Sequence, residues 1–420
     1  MLLKIAFISY EYPPDAAYGG IATYVYQGAR MLQLRGHHVE VFTSSPHRDG
    51  SQLEDHVLVH RIKETRQEKF AIPAGRFFAA RHAAVGFDVL EGPEFFADGR
   101  EAVKLVPDIP LVVKLHTPSM LVFRLNYFEK STVKKLSYSI NAMLRGVRPA
   151  WGYPAHALYY RSQALKADVL ERAHVLDADE ITTPSKSLGD VLIKKWGLQP
   201  SLVTCVPYPY TPDRKLLDIP AETHTNVVTF VGRLEIRKGV IELARAIPIV
   251  LEQHPTARFI LVGASDDSPI ANVGMQQYLE TRLRRYKKSL EFVGSVTPDR
   301  IPEILASTDV CVFPSRWENF PCVCLEAMAA GRGIVASSAG GMVEMLDYGQ
   351  CGLMISPGAP ESLALAVLAL LRQPDRRIKL GQVARQRLLT EYSVDRVGSL
   401  QEASYERAIE RRSCKGPRHT

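Results

Sequence analysis

The sequence predicts an α/β protein built of two Rossmann-like, doubly wound parallel-sheet domains facing each other across a cleft. Three observations carry that prediction. The chain has 420 residues, enough for two domains each with its own core. In both halves short β-branched apolar runs alternate with stretches of helical periodicity, the pattern of buried parallel strands and crossover helices. A polar, proline-rich passage, "YPYTPDRKLLDIPAETHTN" at 208–226, separates the halves. The expected division is a first domain at 1–207, a linker at 208–225 and a second domain at 226–392. A helix at 393–412 would pack back on the first domain, and the tail 413–420 would fray.

The first half opens with the strand "LKIAFISY" and the helix "IATYVYQGARMLQLRG", stopped by glycine. "HHVEVFTS", "DVLEGPE", "LVVKLHT" and "DEITTPS" read as strands, "SLGDVLIKKWG" as a helix and "SLVTCVPYP" as the last strand. The second half is more regular. The strands "NVVTFVG", "ARFILVG", "LEFVGSV", "DVCVFPS" and "RGIVASS" alternate with helices over 239–254, 271–288, 298–308 and 322–331. The apolar helix around Ser362 to Leu371 is a core helix by its length.

The bulk numbers narrow the function class. The chain is 46% hydrophobic and 23% charged, a soluble globular composition, and its net charge of +7 suits anionic ligands. That excess is too small to argue for nucleic acid. The start, "MLLKIAFISYEYPP", reads as a first strand and no secretory signal, because Lys4 and the Pro-Pro pair interrupt it. No window holds 18 uninterrupted apolar residues, so no membrane span is expected. The six cysteines lack zinc spacing and read as reduced thiols of a cytoplasmic protein.

In open α/β sheets ligands bind beyond the carboxyl ends of the strands, so strand-end motifs come next. "GRLEIRKG" puts Arg233 just after a strand and Lys238 at the start of a helix. The pair is either a diphosphate cradle at a helix N-terminus or two solvated surface cations. "EYPPDAAYGG" places Gly19 and Gly20 at the matching position of the first domain, as a close-approach turn or an ordinary glycine-rich one. His116 ends an apolar strand, where it is either a donor to a sugar or a satisfied structural histidine. "SRWENFPCVCLEAMAAG" carries Glu318 in a loop and Glu326 inside a helix that otherwise looks buried all round. Pro321 suits the first helical turn, which leaves the N–H groups of Cys322 and Val323 facing the cleft. A carboxylate in an apolar helix needs partners, and a ribose diol supplies two hydroxyl donors. "SSAGGMVEML" at 337–346 is a further turn expected beside the same cleft. Asp177 and Asp179 form a D-x-D that is a candidate metal site in a nucleotide-sugar protein, but its place between helix and strand favours capping and turn duty. No metal is expected, and no acyl-transfer signature appears.

These motifs, in order, strongly resemble the retaining, glycogen-synthase-like glycosyltransferases of family four, with the glycosyltransferase-B fold. "YPPDAAYGG", "LVVKLHTPS", "EITTPSKS", "VGRLEIRKG", "EFVGSV", "VFPSRWENFPCVCLEAMAAG" and "AGGMVEM" carry the resemblance over nearly the whole chain. It implies a hexosyl transferase that moves a sugar from a nucleotide-diphosphate donor, a UDP-sugar first and a GDP-sugar next, with retention. The acceptor would be a glycan, a lipid-linked molecule or a small molecule, in polysaccharide or glycoconjugate synthesis. The resemblance also implies roles. Arg233 and Lys238 bind the diphosphate, and Glu326 takes the ribose hydroxyls. Glu318 sits at the donor sugar, with Asn319, Phe320 and the N–H groups of Cys322 and Val323 beside it. Gly19 and Gly20 approach the phosphate, His116 contacts the sugar, and Val293 and Gly294 lie against the base. No cofactor or metal is needed, because the cations and helix N-terminus stabilise the departing diphosphate. Such enzymes lack a clear protein nucleophile, and the leaving phosphate is held to take the acceptor proton, so Glu318 is not assigned as one. The chain reads "ENFPC" where many relatives have "EGFG" or "EPFG", so Asn319 and Pro321 put the donor sugar in doubt.

The stretch 111–166 holds nine cations against one acid, Glu129, interleaved with aromatic residues such as Phe123, Tyr127, Tyr159 and Tyr160. It suits an anionic membrane surface or lipid-linked acceptor at the cytoplasmic face, or else is an ordinary solvated insertion. Two other classes compete with the transferase. A non-hydrolysing nucleotide-sugar epimerase would need more acid/base groups than His116 offers. A non-catalytic nucleotide-sugar-binding protein would be expected to lack Arg233, Lys238 or Glu318, and all three are present. An oxidoreductase is disfavoured, because no strand–GxGxxG–helix unit appears.

Overall fold

A computed structural model describes residues 2–16, 19–127, 152–270 and 273–418. Its chain divides into two compact units. One comprises Met1–Ser119, Leu165–Thr211 and Thr390–Thr420; the other comprises Met120–Ala164 and Pro212–Leu389.

The first unit is built on an eight-stranded sheet of order β3-β4-β2-β1-β5-β6-β7-β8. The strands are β1 (Lys4–Ser9), β2 (His38–Ser45), β3 (Gly50–Glu54), β4 (Val57–Lys63), β5 (Val89–Pro93), β6 (Leu111–Lys114), β7 (Glu180–Thr183) and β8 (Val203–Cys205). All pairs are parallel except β3 with β4. β1 is buried at every position but Lys4, which explains its unbroken apolar run. The helix Gly20–Leu34 crosses from β1 to β2 and buries Ala22, Val25, Ala29 and Leu32, spaced three and four apart.

The β3–β4 hairpin and the helix Gln67–Val85 were not anticipated. The hairpin turns through Asp55 and His56, at φ 47° and 67°. Both residues take the left-handed conformation that a tight hairpin needs, but without the glycine that usually signals it.

The second unit holds a six-stranded parallel sheet of order β11-β10-β9-β12-β13-β14. Its strands are β9 (Val227–Val231), β10 (Arg258–Val262), β11 (Leu290–Gly294), β12 (Val310–Phe313), β13 (Gly333–Ser337) and β14 (Leu353–Ile355). The helix Val240–Gln253 and the apolar helix Pro360–Arg372 bury Leu243, Ile247, Val250, Leu363, Val367 and Leu370 in one core with β9 and β10. The expected helix over 271–288 is shorter: it runs Met275–Arg282 and gives way to a 3-10 segment.

The division differs from the expected one, and the expected fraying of 413–420 is corrected: the last helix runs on to Lys415, and Arg418 donates to Ile109 O at 2.7 Å. Residues 120–164 group with the second unit, not the first, and the passage 208–225 contains a helical turn, Arg214–Leu217. The helix Val394–Lys415 lies with the first unit and packs on β5, β6 and β7. Asp179 fastens it. Its carboxylate accepts from Arg412 at 2.6 and 3.0 Å, from Arg418 at 2.8 Å and from the Leu111 N–H at 3.0 Å. The D-x-D thus does more than cap a turn: its second aspartate is fully buried and anchors the chain's last helix. Among the described residues no helix is long and apolar enough to cross a membrane.

Candidate functional site

In the second unit the site grows from two strand ends. β9 runs out at Val231, and the chain turns through a 3-10 segment, Ile236–Lys238, into the helix Val240–Gln253. Gly239 joins them at φ 72°, and a Cβ there would lie 2.0 Å from the carbonyl oxygen of Pro314. Only glycine permits that approach, which brings Lys238 against the end of β12. A second contact of the same kind holds the loop after β12. Glu318 pairs with Gly340, and the Gly341 N–H donates to the Glu318 carbonyl at 2.8 Å. The 337–346 turn and the Glu318 loop are therefore one structure.

Glu318 is 6% exposed. Its Oε1 accepts from Lys238 Nζ, from Arg237 Nη1 at 3.4 Å and from Ser315 Oγ at 3.2 Å. Burial opposes its ionisation, but Lys238 and then Arg237 outweigh it and hold the carboxyl below its ordinary value. Arg237 also donates to Glu235 at 2.7 Å, and its backbone N–H donates to Asn126 Oδ1 at 3.1 Å. Arg233 stays half exposed, 3.5 Å from Glu235 and 4.0 Å from Asp266. Four of the charges are thus close together, while Arg233 keeps most of its guanidinium in water.

The helix Cys322–Ala329 buries Cys324, Leu325, Ala327 and Met328, but Cys322, Val323 and Glu326 are only half buried. The expectation of a helix buried all round is corrected: those three residues, one and four positions apart, share an open face. Pro321 is not in the first turn either. It stands at the N-cap with ψ 122°, extended. The first helical N–H to find a partner in the turn is that of Cys324, on Pro321 O at 3.0 Å, after those of Cys322 and Val323. Glu326 has no ion pair or hydrogen bond to its carboxylate among the described residues, and burial pushes its carboxyl up to about 7. Asn319 and Phe320 are buried. Val293 and Gly294 end β11, the edge strand, with Val293 exposed and Gly294 at φ 75°.

In the first unit Gly19 caps the helix Gly20–Leu34 in extended conformation, and a Cβ on either glycine would meet nothing within 4 Å. Protein packing therefore does not require glycine there. The Glu11 carboxylate already accepts from the Ala22 N–H in the first turn, at 3.4 Å.

His116, expected at the end of an apolar strand as a sugar donor or a structural histidine, is buried, two residues beyond β6. Its backbone N–H donates to both oxygens of Glu94, at 2.8 and 2.9 Å. Its Nδ1 meets the Tyr208 hydroxyl. Burial, then the neighbouring Lys114, push its pKa well below the ordinary value, so the ring is neutral. Lys114 is itself fully buried and lowered to about 8 by burial, against the pull of Glu91.

Sequence reading passed over Arg237, Glu235, Ser315, Tyr208 and Glu91. The doublet Arg237–Lys238 was the available signal for the first. The others acquire partners only when distant segments meet.

Comparison with known proteins identifies the chain. A family model described as "Glycosyltransferase Family 4" matches residues 18–214, and one described as "Glycosyl transferases group 1" matches 225–373. The chain is 26% identical to glycogen synthase of Mycobacterium tuberculosis over 404 residues, covering 93% of this chain and 91% of that protein. Sucrose-phosphate synthase from Thermosynechococcus elongatus has the same fold, with TM-score 0.72, 22% identity and coverage of 97% and 99%. HepE of Anabaena, solved in complex with UDP, follows with TM-score 0.65, 16% identity and coverage of 96% and 100%. The two parallel-sheet domains are those of the glycosyltransferase-B fold, and the chain belongs to the family four, group 1 glycosyltransferases.

Proposed function

We propose that this glycosyltransferase is a retaining, metal-independent enzyme that moves a sugar from a nucleotide-diphosphate donor to a glycan, lipid-linked or small-molecule acceptor. The observation that carries the reading is the pairing of Lys238 with Glu318, together with a half-exposed Arg233 and a Glu326 carboxylate without a partner among the described residues. Lys238 and Arg233 neutralise the diphosphate, and the N–H groups of Cys322 and Val323 add to that field. Two cations and a helix start supply the charge that a divalent ion would otherwise supply. The Glu326 carboxylate accepts from the ribose diol, and Glu318 accepts from the donor sugar once Lys238 turns to the phosphate. The neutral His116 takes the sugar-side role of a hydrogen-bonding group, and the leaving phosphate takes the acceptor proton. The Val293–Gly294 edge serves the base, and Gly19 and Gly20 leave room for the phosphate. UDP is the first choice of nucleotide, supported by the complex of HepE with UDP.

The test is a thermal-shift series with UDP-, GDP- and ADP-sugars, with and without EDTA. A donor at 100 times its dissociation constant stabilises by about 2.7 kcal/mol. The shift should survive EDTA and vanish in Lys238→Ala, which should also lower turnover by about 100- to 1,000-fold while the apo-protein stays folded. Normal turnover in that variant would sink the phosphate assignment.

Contact with an anionic membrane is a second proposed property, resting on the helix Gly152–Leu176. It exposes Tyr159, Tyr160, Leu165 and Val169 alongside Arg161 and Lys166. Lys130, Lys134, Lys135, Arg145 and Arg148 of the same basic stretch lie outside the described residues. Neutralising the three lysines should lower affinity for phosphatidylserine vesicles by about 3 kcal/mol, at about 1 kcal/mol each; unchanged affinity would make the stretch an ordinary solvated face.

A further inference from the structure

Tyr208 opens the passage that the sequence marks as a linker. In the structure it is 4% exposed, in the segment after β8, and its hydroxyl lies on Nδ1 of His116. The Tyr24 ring sits 4.9 Å from the Tyr208 ring and 5.4 Å from the His116 ring. Lys114 lies beneath this aromatic group, its Nζ 4.8 Å from the Tyr24 centroid and 5.5 Å from that of Tyr208, and it donates to Val206 O at 2.6 Å. The Tyr24 hydroxyl donates to Glu91, whose other oxygen accepts from Gln401 at 2.7 Å and Tyr405 at 2.6 Å, both on the C-terminal helix. Backbone and ring of His116 are thus held independently, the first by Glu94 and the second by Tyr208.

A neutral imidazole has one N–H and one bare nitrogen, and the partner of one nitrogen decides which is which. The nearby ammonium of Lys114 favours the phenol as donor, because it stabilises negative charge building on the phenolic oxygen.

We propose that Tyr208 is a positioning residue for His116: its hydroxyl donates to Nδ1 and fixes the ring proton on Nε2, so the imidazole offers an N–H donor to the substrate sugar. The inference rests on the sugar-side reading of His116. Its consequence for specificity is that the sugar group facing His116 is a hydrogen-bond acceptor, a hydroxyl or carbonyl oxygen.

The test uses the full chain labelled with ¹⁵N-histidine, with the His116 signals assigned by their loss in His116→Gln. Wild-type protein should show an acceptor-type Nδ1 and a protonated Nε2. Tyr208→Phe keeps the ring and its packing, and should add the other tautomer. Its kcat/KM should fall about tenfold, the loss of one hydrogen bond to the sugar. A protonated Nδ1 in wild-type protein, or an unchanged tautomer in Tyr208→Phe, overturns the proposal; the wild-type spectrum decides even if the variant does not fold. Full turnover in His116→Gln would overturn the sugar-side reading instead, and leave the tautomer to be judged by the spectrum.

Discussion

Two charged clusters, one in each unit, are organised in opposite ways. Around Glu91 every charged or polar group is fully buried, and each donor is spent on a fixed acceptor: Tyr24, Gln401 and Tyr405 on Glu91, and Lys114 on Val206 O. Around Glu318 the acid is buried, but Lys238 is half buried and Arg233 half exposed, and Glu318 has several donors on one oxygen. The first arrangement cannot exchange a partner without leaving an unsatisfied buried group, which costs about 1–3 kcal/mol each. The second can release Lys238, because Arg237 and Ser315 remain. A scaffold fixes its charges; a binding site keeps one in reserve.

The largest effect should come from breaking the fixed cluster. Glu91→Leu leaves the Tyr24 and Tyr405 hydroxyls and the Gln401 amide without their acceptor, and deprives Lys114 of a counter-charge. About 3 kcal/mol of stability should be lost, a fall in melting temperature of roughly 6–12 °C. Donor affinity in the folded fraction should not change. Calorimetry and equilibrium donor binding check both halves, and a melting temperature within about 2 °C of wild type would show that the cluster is not fixed in this sense.

The fold was more legible in the sequence than either cluster. β9 could be read because a parallel strand buried on both faces is a β-branched, mostly apolar run, "VVTFV". β14, only "LMI", is too short to carry a pattern, and the Asp55–His56 turn lacks glycine. Within the site, Glu318 and Lys238 stand out because each follows a strand. Tyr208 and Glu91 do not, since a tyrosine among prolines and a glutamate inside "DVLEGPE" have ordinary local explanations. Only the meeting of β5, β6 and the C-terminal helix assigns them work.

Glu326 tests the reserve principle in its simplest form, a carboxylate with no partner among the described residues. Burial pushes it up to about 7, so it gains its charge only as pH rises through that value. Because this folded-state value exceeds the unfolded one, ionising Glu326 costs stability as pH climbs between the two, and a ribose diol that favours the anion should recover it. Donor KM should therefore rise as pH falls below about 7. In Glu326→Gln that dependence should disappear and KM should be raised roughly 10- to 100-fold, as expected for hydrogen bonds to a charged group. A donor lacking the ribose 2′-hydroxyl should lose much less affinity for Glu326→Gln than for wild type. Equal losses would remove the ribose from Glu326.

The smallest effect, and the sharpest test of the contrast, belongs to Arg237. If Lys238 leaves Glu318 for the diphosphate, Arg237 is the cation that stays, 3.4 Å from Oε1 and held in place by Glu235. Arg237→Met should leave donor binding near normal, because Lys238 and Arg233 remain. Catalysis should fall about tenfold near neutral pH, the value of one hydrogen bond to a charged group. The sign of the pH effect follows from the pair. Arg237 helps hold the Glu318 carboxyl below its ordinary value, so removing it lets that value rise. Activity that depends on ionised Glu318 is lost as pH falls through that value, so the acid limb of the kcat profile should move to higher pH in Arg237→Met. Arg237→Lys should restore much of it, since a cation on the same stem can still reach Oε1. A kcat profile for Arg237→Met that overlies the wild type would mean that Ser315 alone keeps Glu318 ionised, and that the second cation serves only to hold the 3-10 turn against Glu235.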